Sequence, residues 1–241
     1  MPQSIIDVLA IGAHPDDLEL SCGGTLLRMK SLGYTVGMVD LTRGERGTRG
    51  SAELRQAEAD AAFKIMGLDV RENLDLGDMH LQDTQDRRRK VVEVIRKYKP
   101  RLVITHSPYD RHPDHEGASA LVKNAMFLSG ARNFDADGEP HVPGRLMHFP
   151  SHWVQDLNVY VDISAFYERK IEAAKCYKSQ FFDPNSQDPA TLLSRPHFFE
   201  DLDTRFKNFG YQIGATYAEA FWVREKFRID DPVKFFTPPR P

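Results

Sequence analysis

At 241 residues the chain is long enough for one substantial domain with a full core. Its 41% hydrophobic and 28% charged content argues against disorder, and a net charge of −3 gives no general pull towards nucleic acid or an anionic membrane. Cys22 and Cys176 lie far apart without CxxC or CxxH spacing, which argues against a disulfide scaffold or a thiolate zinc site; with no apolar run of membrane-span length and no secretory leader pattern, a soluble cytoplasmic protein is expected.

Ser4–Gly12 (SIIDVLAIG), a short apolar run with β-branched residues, predicts a buried strand. A helix is expected from about Cys22 to Leu32, where Leu26, Leu27, Met29 and Leu32 make an apolar stripe that Gly33 ends. Thr35–Leu41 reads as a second strand, followed by the polar loop Thr42–Gly50 and a helix over Ser51–Met66, with Ser51 as N-cap and Gly67 as stop. Val70–Leu76 is a weaker strand, Asp83–Lys99 an amphipathic helix halted by Pro100, and Arg101–His106 a fourth strand. The loop Ser107–Glu116 then leads into a helix through about Leu128. Further strands are expected near Arg145–Trp153 and Asn158–Ile163, with helices over Ser164–Gln180 and Glu200–Phe209. Strands alternating with helices at this spacing predict an α/β fold: a doubly wound, mostly parallel Rossmann-like sheet with helices on both faces and a C-terminal elaboration. A single domain over 1–236 and a loose tail over 237–241 are expected.

Two loops stand out. "GAHPDDLELSCGG" (residues 12–24) follows the first strand and "SPYDRHPDHEG" (residues 107–117) follows the fourth, and both carry His-Pro-Asp chemistry. In an open parallel sheet ligands bind outside the carboxyl ends of the strands, where the order reverses. An order beginning 3-2-1-4 would make these two loops neighbours. Imidazole and carboxylate donors suit a divalent metal, and three protein ligands with one open place is the pattern of catalytic zinc. His14 and Asp17, three apart where a loop enters a helix, can point the same way; either His115 or His112 completes the set, and spacing does not choose between Asp16 and Asp17. An aspartate left beside a metal-bound water could take its proton, and a second histidine could stabilise an oxyanion or protonate a leaving amine. The bland alternative, Asp16 or Asp17 as an N-cap and His112–His115 as a polar turn, weakens because the two loops coincide at neighbouring strand ends.

The loop 42–50 (TRGERGTRG) matches neither GxGxxG nor the GxxxxGK[ST] phosphate loop. Its arginines, Arg43 among them, read equally as a solvated loop or as substrate contacts. Arg55 reads either as a crevice residue or as a helix-face ion pair with Glu58 or Glu53. Arg111, directly before His112, is better placed to meet an anion bidentately. Cys22 lacks a nucleophile elbow and reads as a small buried residue. His80, His141, His148, His152 and His197 have no paired spacing and read as structural or exposed, and Asp75–Asp78 as a turn.

"AHPDDLELSCGGTL", "LTRGERGTRGSAELRQAEA", "DRHPDHEGA" and the late "GYQIGATYAEAF" together resemble the PIG-L (LmbE-like) family of zinc-dependent N-acetylglucosamine deacetylases, and within it the bacillithiol-biosynthesis deacetylases. The resemblance implies zinc, or ferrous iron in its place, on His14, Asp17 and His115. It implies Asp16 as general base and His112 as a charged histidine at the oxyanion, kept protonated by Asp114. It places the arginines that receive an acidic aglycone at Arg55 and Arg111. A tyrosine that polarises the amide carbonyl in some members has no match: Tyr109 is offset, and the stretch His197-Phe198-Phe199 lacks one. N-acetylglucosaminyl malate is the implied substrate. The alternatives are another amino sugar (an inositol conjugate, a chitooligosaccharide or an antibiotic precursor) or a nucleotide-binding Rossmann-type module with a structural metal. Members often form hexamers, so a homo-oligomer is expected, with a small-molecule substrate and neither nucleic acid nor membrane as partner.

Overall fold

In the computed structural model of the protein, residues 5–153 and 156–237 are described. Short β-branched runs form β1 (Val8–Gly12), β2 (Val36–Asp40), β3 (Val70–Asn73), β4 (Leu102–His106) and β5 (Arg145–Phe149). They pair in the order β3-β2-β1-β4-β5, every pairing parallel. Side chains alternate across this sheet, as the period of two requires. Leu9 and Ile11 of β1 enter one apolar cluster with Val91 and Leu121, while Val8 and Ala10 enter the other with Leu18 and Ala59. The helices divide accordingly: α3 (Gln85–Tyr98) and α4 (Pro113–Ser129) cover one face, α1 (Asp17–Ser31), α2 (Ala52–Met66) and α5 (Tyr167–Ala174) the other. The expected doubly wound α/β fold and the 3-2-1-4 order are both present.

The C-terminal elaboration is a two-stranded antiparallel sheet, β6 (Val159–Asp162) with β7 (Ala218–Phe221), and the amphipathic helix α6 (Phe198–Ile213). Its apolar cluster holds Ile163, Tyr167, Leu202, Phe206 and Phe209, and an antiparallel bridge between His148 and Trp222 ties it to the edge of the main sheet. A fully buried pair, Lys170 with Glu219 (2.5 Å), joins it to α1: the Glu219 carboxylate accepts the Gly24 and Thr25 amides at 2.9 and 2.7 Å. Glycine is required at 24, where a Cβ would stand 2.8 Å from Ile163.

Several boundaries differ from the sequence expectation. The first helix starts at Asp17, not near Cys22, because its first turn is anchored by contacts of the Asp17 carboxylate rather than by an apolar stripe. The helix expected over 164–180 shortens to α5, after which the chain leaves in tight turns at Cys176–Gln180. β7 and the short α7 (Pro232–Phe236) carry no periodic pattern and were not expected; β7 exists through its pairing with β6. Ser51 and Gly67 bound α2 as expected: the Ser51 hydroxyl accepts the Leu54 amide, and Gly67 is left-handed. Ser4, placed in the first strand, and 238–241 of the expected tail lie outside the described residues.

Gly117 shows how tightly the second loop is tied to the fold. A Cβ there would stand 1.7 Å from the Leu81 carbonyl oxygen, on the segment whose Met79 and Leu81 amides donate to Asp114. Gly117→Ala should therefore destabilise the protein by about 1–3 kcal/mol, as overpacking does, seen as a lower urea midpoint. A midpoint at the wild-type value would show that segment 79–81 can withdraw.

Candidate metal centre

β1 and β4 are adjacent and parallel, so the turn 13–16 and the loop 107–112 open onto the same edge. His14 leaves β1 and Asp17 begins α1; His115 lies in the first turn of α4, which His112 caps. His14 Nδ1 is 3.2 Å from Asp17 Oδ2, and His115 Nε2 is 3.3 Å from Asp17 Oδ1. One donor atom from each of these residues falls within 4.8 Å of the other two.

Two overlapping groups, His14–His112–Asp114 and Asp110–His115–His152, satisfy the same distance. Their carboxylates are already taken. Asp114 accepts the Met79 amide (2.6 Å) and the Leu81 amide (3.0 Å) and lies 3.4 Å from His14 Nε2. Asp110 accepts the His112 amide (2.9 Å), His115 Nδ1 (3.1 Å) and His152 Nδ1 (2.8 Å). Among the described residues Asp17 accepts one backbone amide, from His14 at 2.7 Å, which leaves Oδ1 facing His115. The outer nitrogens complete the fit: His14 Nε2 is 3.1 Å from Asp78, and His115 Nδ1 is held by Asp110. Carboxylates in that position fix the tautomer and raise the basicity of a ligating imidazole. The donor chemistry of His14, Asp17 and His115 therefore fits a divalent metal with an open coordination place.

Burial disfavours the charged forms here, but charge pairing decides the outcome. Burial pulls the His115 imidazolium down, yet Asp17 and Asp110 outweigh it and raise its pKa to about 9. His14 is likewise lowered by burial and carried well above its ordinary value by Asp114 and Asp17. His112 behaves oppositely: burial, then the charges of His115 and His14, lower it to about 4.

Asp16 adopts φ 106°, a left-handed conformation uncommon for a non-glycine residue, of a kind that clusters at functional sites. It occupies the N-cap position of α1 but makes no capping bond. Its Oδ2 instead accepts from Arg55 Nη2 at 3.0 Å, and Arg55 Nη2 also donates to the Pro15 carbonyl. Burial raises the Asp16 carboxyl to about 7 against the pull of Arg55. A cavity of about 350 Å³ opens over this group, lined at its floor by His14, Asp16, Asp17, His112 and His115.

The structure thus brings together His14, Asp16, Asp17, His112 and His115, and corrects four expected roles. Asp114 does not hold His112: its carboxylate turns to Met79, Leu81 and His14, and it is the Asp114 amide that donates to His112 Nδ1 at 3.2 Å. With Nδ1 accepting that amide, His112 carries its proton on Nε2 in this arrangement, where an imidazolium was expected. Arg55 lines the cavity, but it is buried with Nη2 committed to Asp16 and the Pro15 carbonyl, a placement that positions the Asp16 carboxylate. Arg43 pairs with Glu53 at 3.2 Å on the exterior and does not line the cavity. Arg111 is exposed and lines it. Four participants lacked a sequence signal of their own. Asp78 came from a turn, Asp110 sat unremarked inside the quoted DRHPDH motif, and His152 is an isolated histidine that proves to line the cavity. His106, the last residue of β4, stacks on His115 with ring centroids 4.1 Å apart.

Two imidazoles and a carboxylate at the carboxyl edge of a parallel sheet, with a second carboxylate alongside, form a candidate metal centre at the edge where α/β folds bind their ligands. Residues 9–126 match the PIG-L family, described as GlcNAc-PI de-N-acetylase. A diacetylchitobiose deacetylase of Thermococcus kodakarensis is 33% identical over 189 residues, which span 72% of this chain and 70% of that protein. Among solved structures, the conserved protein TT1542 of Thermus thermophilus superposes with a TM-score of 0.85 at 36% identity, covering 94% of this chain and 98% of its own. The chain belongs to the PIG-L family, whose members include deacetylases. More distantly, a 4-oxalmesaconate hydratase of Pseudomonas putida is 28% identical over 191 residues (71% of this chain, 73% of its own length). A probable N-acetyl-alpha-D-glucosaminyl L-malate deacetylase 2 of Bacillus anthracis is 26% identical over 200 residues (72% and 81%).

Asp110 gives this centre a test independent of turnover. Asp110→Asn should lower metal affinity by roughly 10–100-fold with the fold intact, the usual effect of losing an outer carboxylate. Metal titration followed by calorimetry would read it, and affinity equal to wild type would exclude His115 as a ligand supported by Asp110.

Proposed function

We propose that this protein is a zinc-dependent amidohydrolase that removes the N-acetyl group from an N-acetylglucosamine conjugate. The observation that carries the reading is the pairing of a His14–Asp17–His115 ligand set with Asp16, a carboxylate that Arg55 holds beside it without capping the helix. A divalent metal on those ligands would supply Lewis acidity towards an amide carbonyl and make a water molecule acidic. The protein's own groups do the rest. Asp16 accepts a proton from the water that adds to the acetyl carbon. His112, with Nδ1 occupied by the Asp114 amide, offers Nε2–H to the carbonyl oxygen as negative charge develops. When the C–N bond breaks, the amine takes the proton held by Asp16, and acetate and the free amine are left. Asp114, Asp110 and Asp78 orient the imidazoles and touch no reacting atom.

For the substrate, N-acetylglucosaminyl malate in bacillithiol biosynthesis is the first reading, supported by the motif resemblance and by Arg111 at the cavity. A chitooligosaccharide is the second, favoured by the 33% identity to a diacetylchitobiose deacetylase. Two free cysteines suit the reducing cytoplasm, and among the described residues no helix is long and apolar enough to cross a membrane.

Amine release from a panel of N-acetylglucosamine conjugates tests the reading. Activity should vanish with a chelator and return with Zn²⁺; chelator-resistant turnover would overturn metal dependence. Asp16→Asn should keep metal content near wild type and lower kcat by roughly 10²–10⁴-fold, the range for a lost acid/base group. Loss of bound metal in that variant would instead make Asp16 a ligand.

A further inference from the structure

The family match ends at residue 126, yet much of the cavity wall comes from residues 180–205. One face of α6 contributes Phe198, Asp201, Leu202 and Arg205, the i, i+3, i+4, i+7 set that shares a helix side. Leu192 and Leu193, on the segment before α6, also line the cavity and are half-buried.

Arg205 is the unusual member. Its Nη1 donates to the Ser151 carbonyl at 2.6 Å, which fixes the guanidinium at the cavity wall. Burial lowers its pKa, and Asp110 offsets this only in part and from beyond contact distance. The carboxylate one turn earlier, Asp201, pairs instead with Arg195 at 3.6 Å, where both are exposed. Among the described residues no carboxylate contacts this partly buried guanidinium, which is costly unless something else supplies the anion. Its planar fork matches a carboxylate. Beside it, Phe198, Leu202, Leu192 and Leu193 offer apolar surface that a small hydrophilic acid would leave wet.

We propose that this face of α6, with Leu192 and Leu193, is an aglycone subsite for an amphipathic acid, an apolar group on the hydrocarbon wall and a carboxylate on Arg205. The proposal rests on the amino-sugar reading above and sharpens it: a malyl aglycone satisfies Arg205 and leaves the apolar wall unfilled.

Four N-acetylglucosaminides separate the two contributions: methyl, phenyl, malyl and 4-carboxyphenyl. Binding to the zinc-loaded protein is measured by calorimetry, and amine release is followed in parallel. Phenyl should bind more tightly than methyl, and 4-carboxyphenyl more tightly than either phenyl or malyl, by roughly 10-fold or more for the charge-assisted contact. Arg205→Gln should erase the gain from the carboxylate and leave phenyl against methyl unchanged; Leu192→Ser should do the reverse. The proposal fails if Arg205→Gln weakens all four ligands equally, or if neither the ring nor the carboxylate improves on methyl. Should the binding pattern hold with no amine released from any glycoside, the subsite stands and the deacetylase reading falls.

Discussion

The centre depends on the parallel pairing of β1 with β4. In this register Ile11 lies opposite Thr105, and the Thr105 hydroxyl donates to the Ile11 carbonyl at 2.8 Å. One step further the ladder changes character: the Ala13 amide donates to His106 Nε2 at 2.9 Å, an imidazole standing where a strand carbonyl would otherwise accept. That bond fixes the His106 tautomer, with its other nitrogen 3.2 Å from Ser151 Oγ, and burial helps to keep the ring neutral at a pKa of about 4. The two strands part at this ring, and the loops that carry His14 and His115 diverge from it around Asp17. The proposed ligand set, separated by about a hundred residues of chain, needs only this one adjacency to meet.

Around His14, Asp17 and His115 the carboxylates fall into two kinds, distinguished by who donates to them. Asp110, Asp114 and Asp78 accept several amide or imidazole N–H groups each, which stabilise the charged form and hold all three below the ordinary carboxylate range against the opposing effect of burial. They are fixed anions that orient histidines. Asp16 accepts from a single guanidinium, and burial carries it the other way. Divergent environments for neighbouring acids are how one site keeps some carboxylates charged and leaves another able to exchange a proton. Beneath them, Glu19 and Asp40 share Arg71, and Tyr177 donates to Glu19, so the first turn of α1 is braced from below as well as from the cavity side.

Much of this was legible in the sequence because it rests on local patterns. The alternation of β-branched runs with amphipathic helices announced the doubly wound sheet, and the two His-Pro-Asp loops announced where the chemistry sits. What could not be read was partner choice. Asp114 lies two residues from His112, yet its carboxylate answers to amides some thirty residues upstream, at Met79 and Leu81. Arg55 could be read as a residue of the crevice or of a surface ion pair; it does line the cavity, but only packing shows its guanidinium turned to Asp16 and the Pro15 carbonyl. His152 and Asp78 belong to segments without periodicity, so nothing in their own neighbourhoods marks them. The C-terminal cavity wall was invisible for the same reason: an apolar stripe on α6 reads as core whether it faces a protein interior or a ligand.

Glu219 has a consequence for how much chain the enzyme needs. Its carboxylate reaches into the middle of α1, at Gly24 and Thr25, from nearly two hundred residues away, with Lys170 as its counterion. A fragment ending at residue 126, where the family signature stops, would contain the whole proposed ligand set and Asp16. It would lack the acid that braces the helix bearing Asp17, and with Phe149 and α5 gone would leave Leu26 and its neighbours on that face of the sheet open to water. The smallest unit able to hold the centre is therefore longer than the stretch that identifies it.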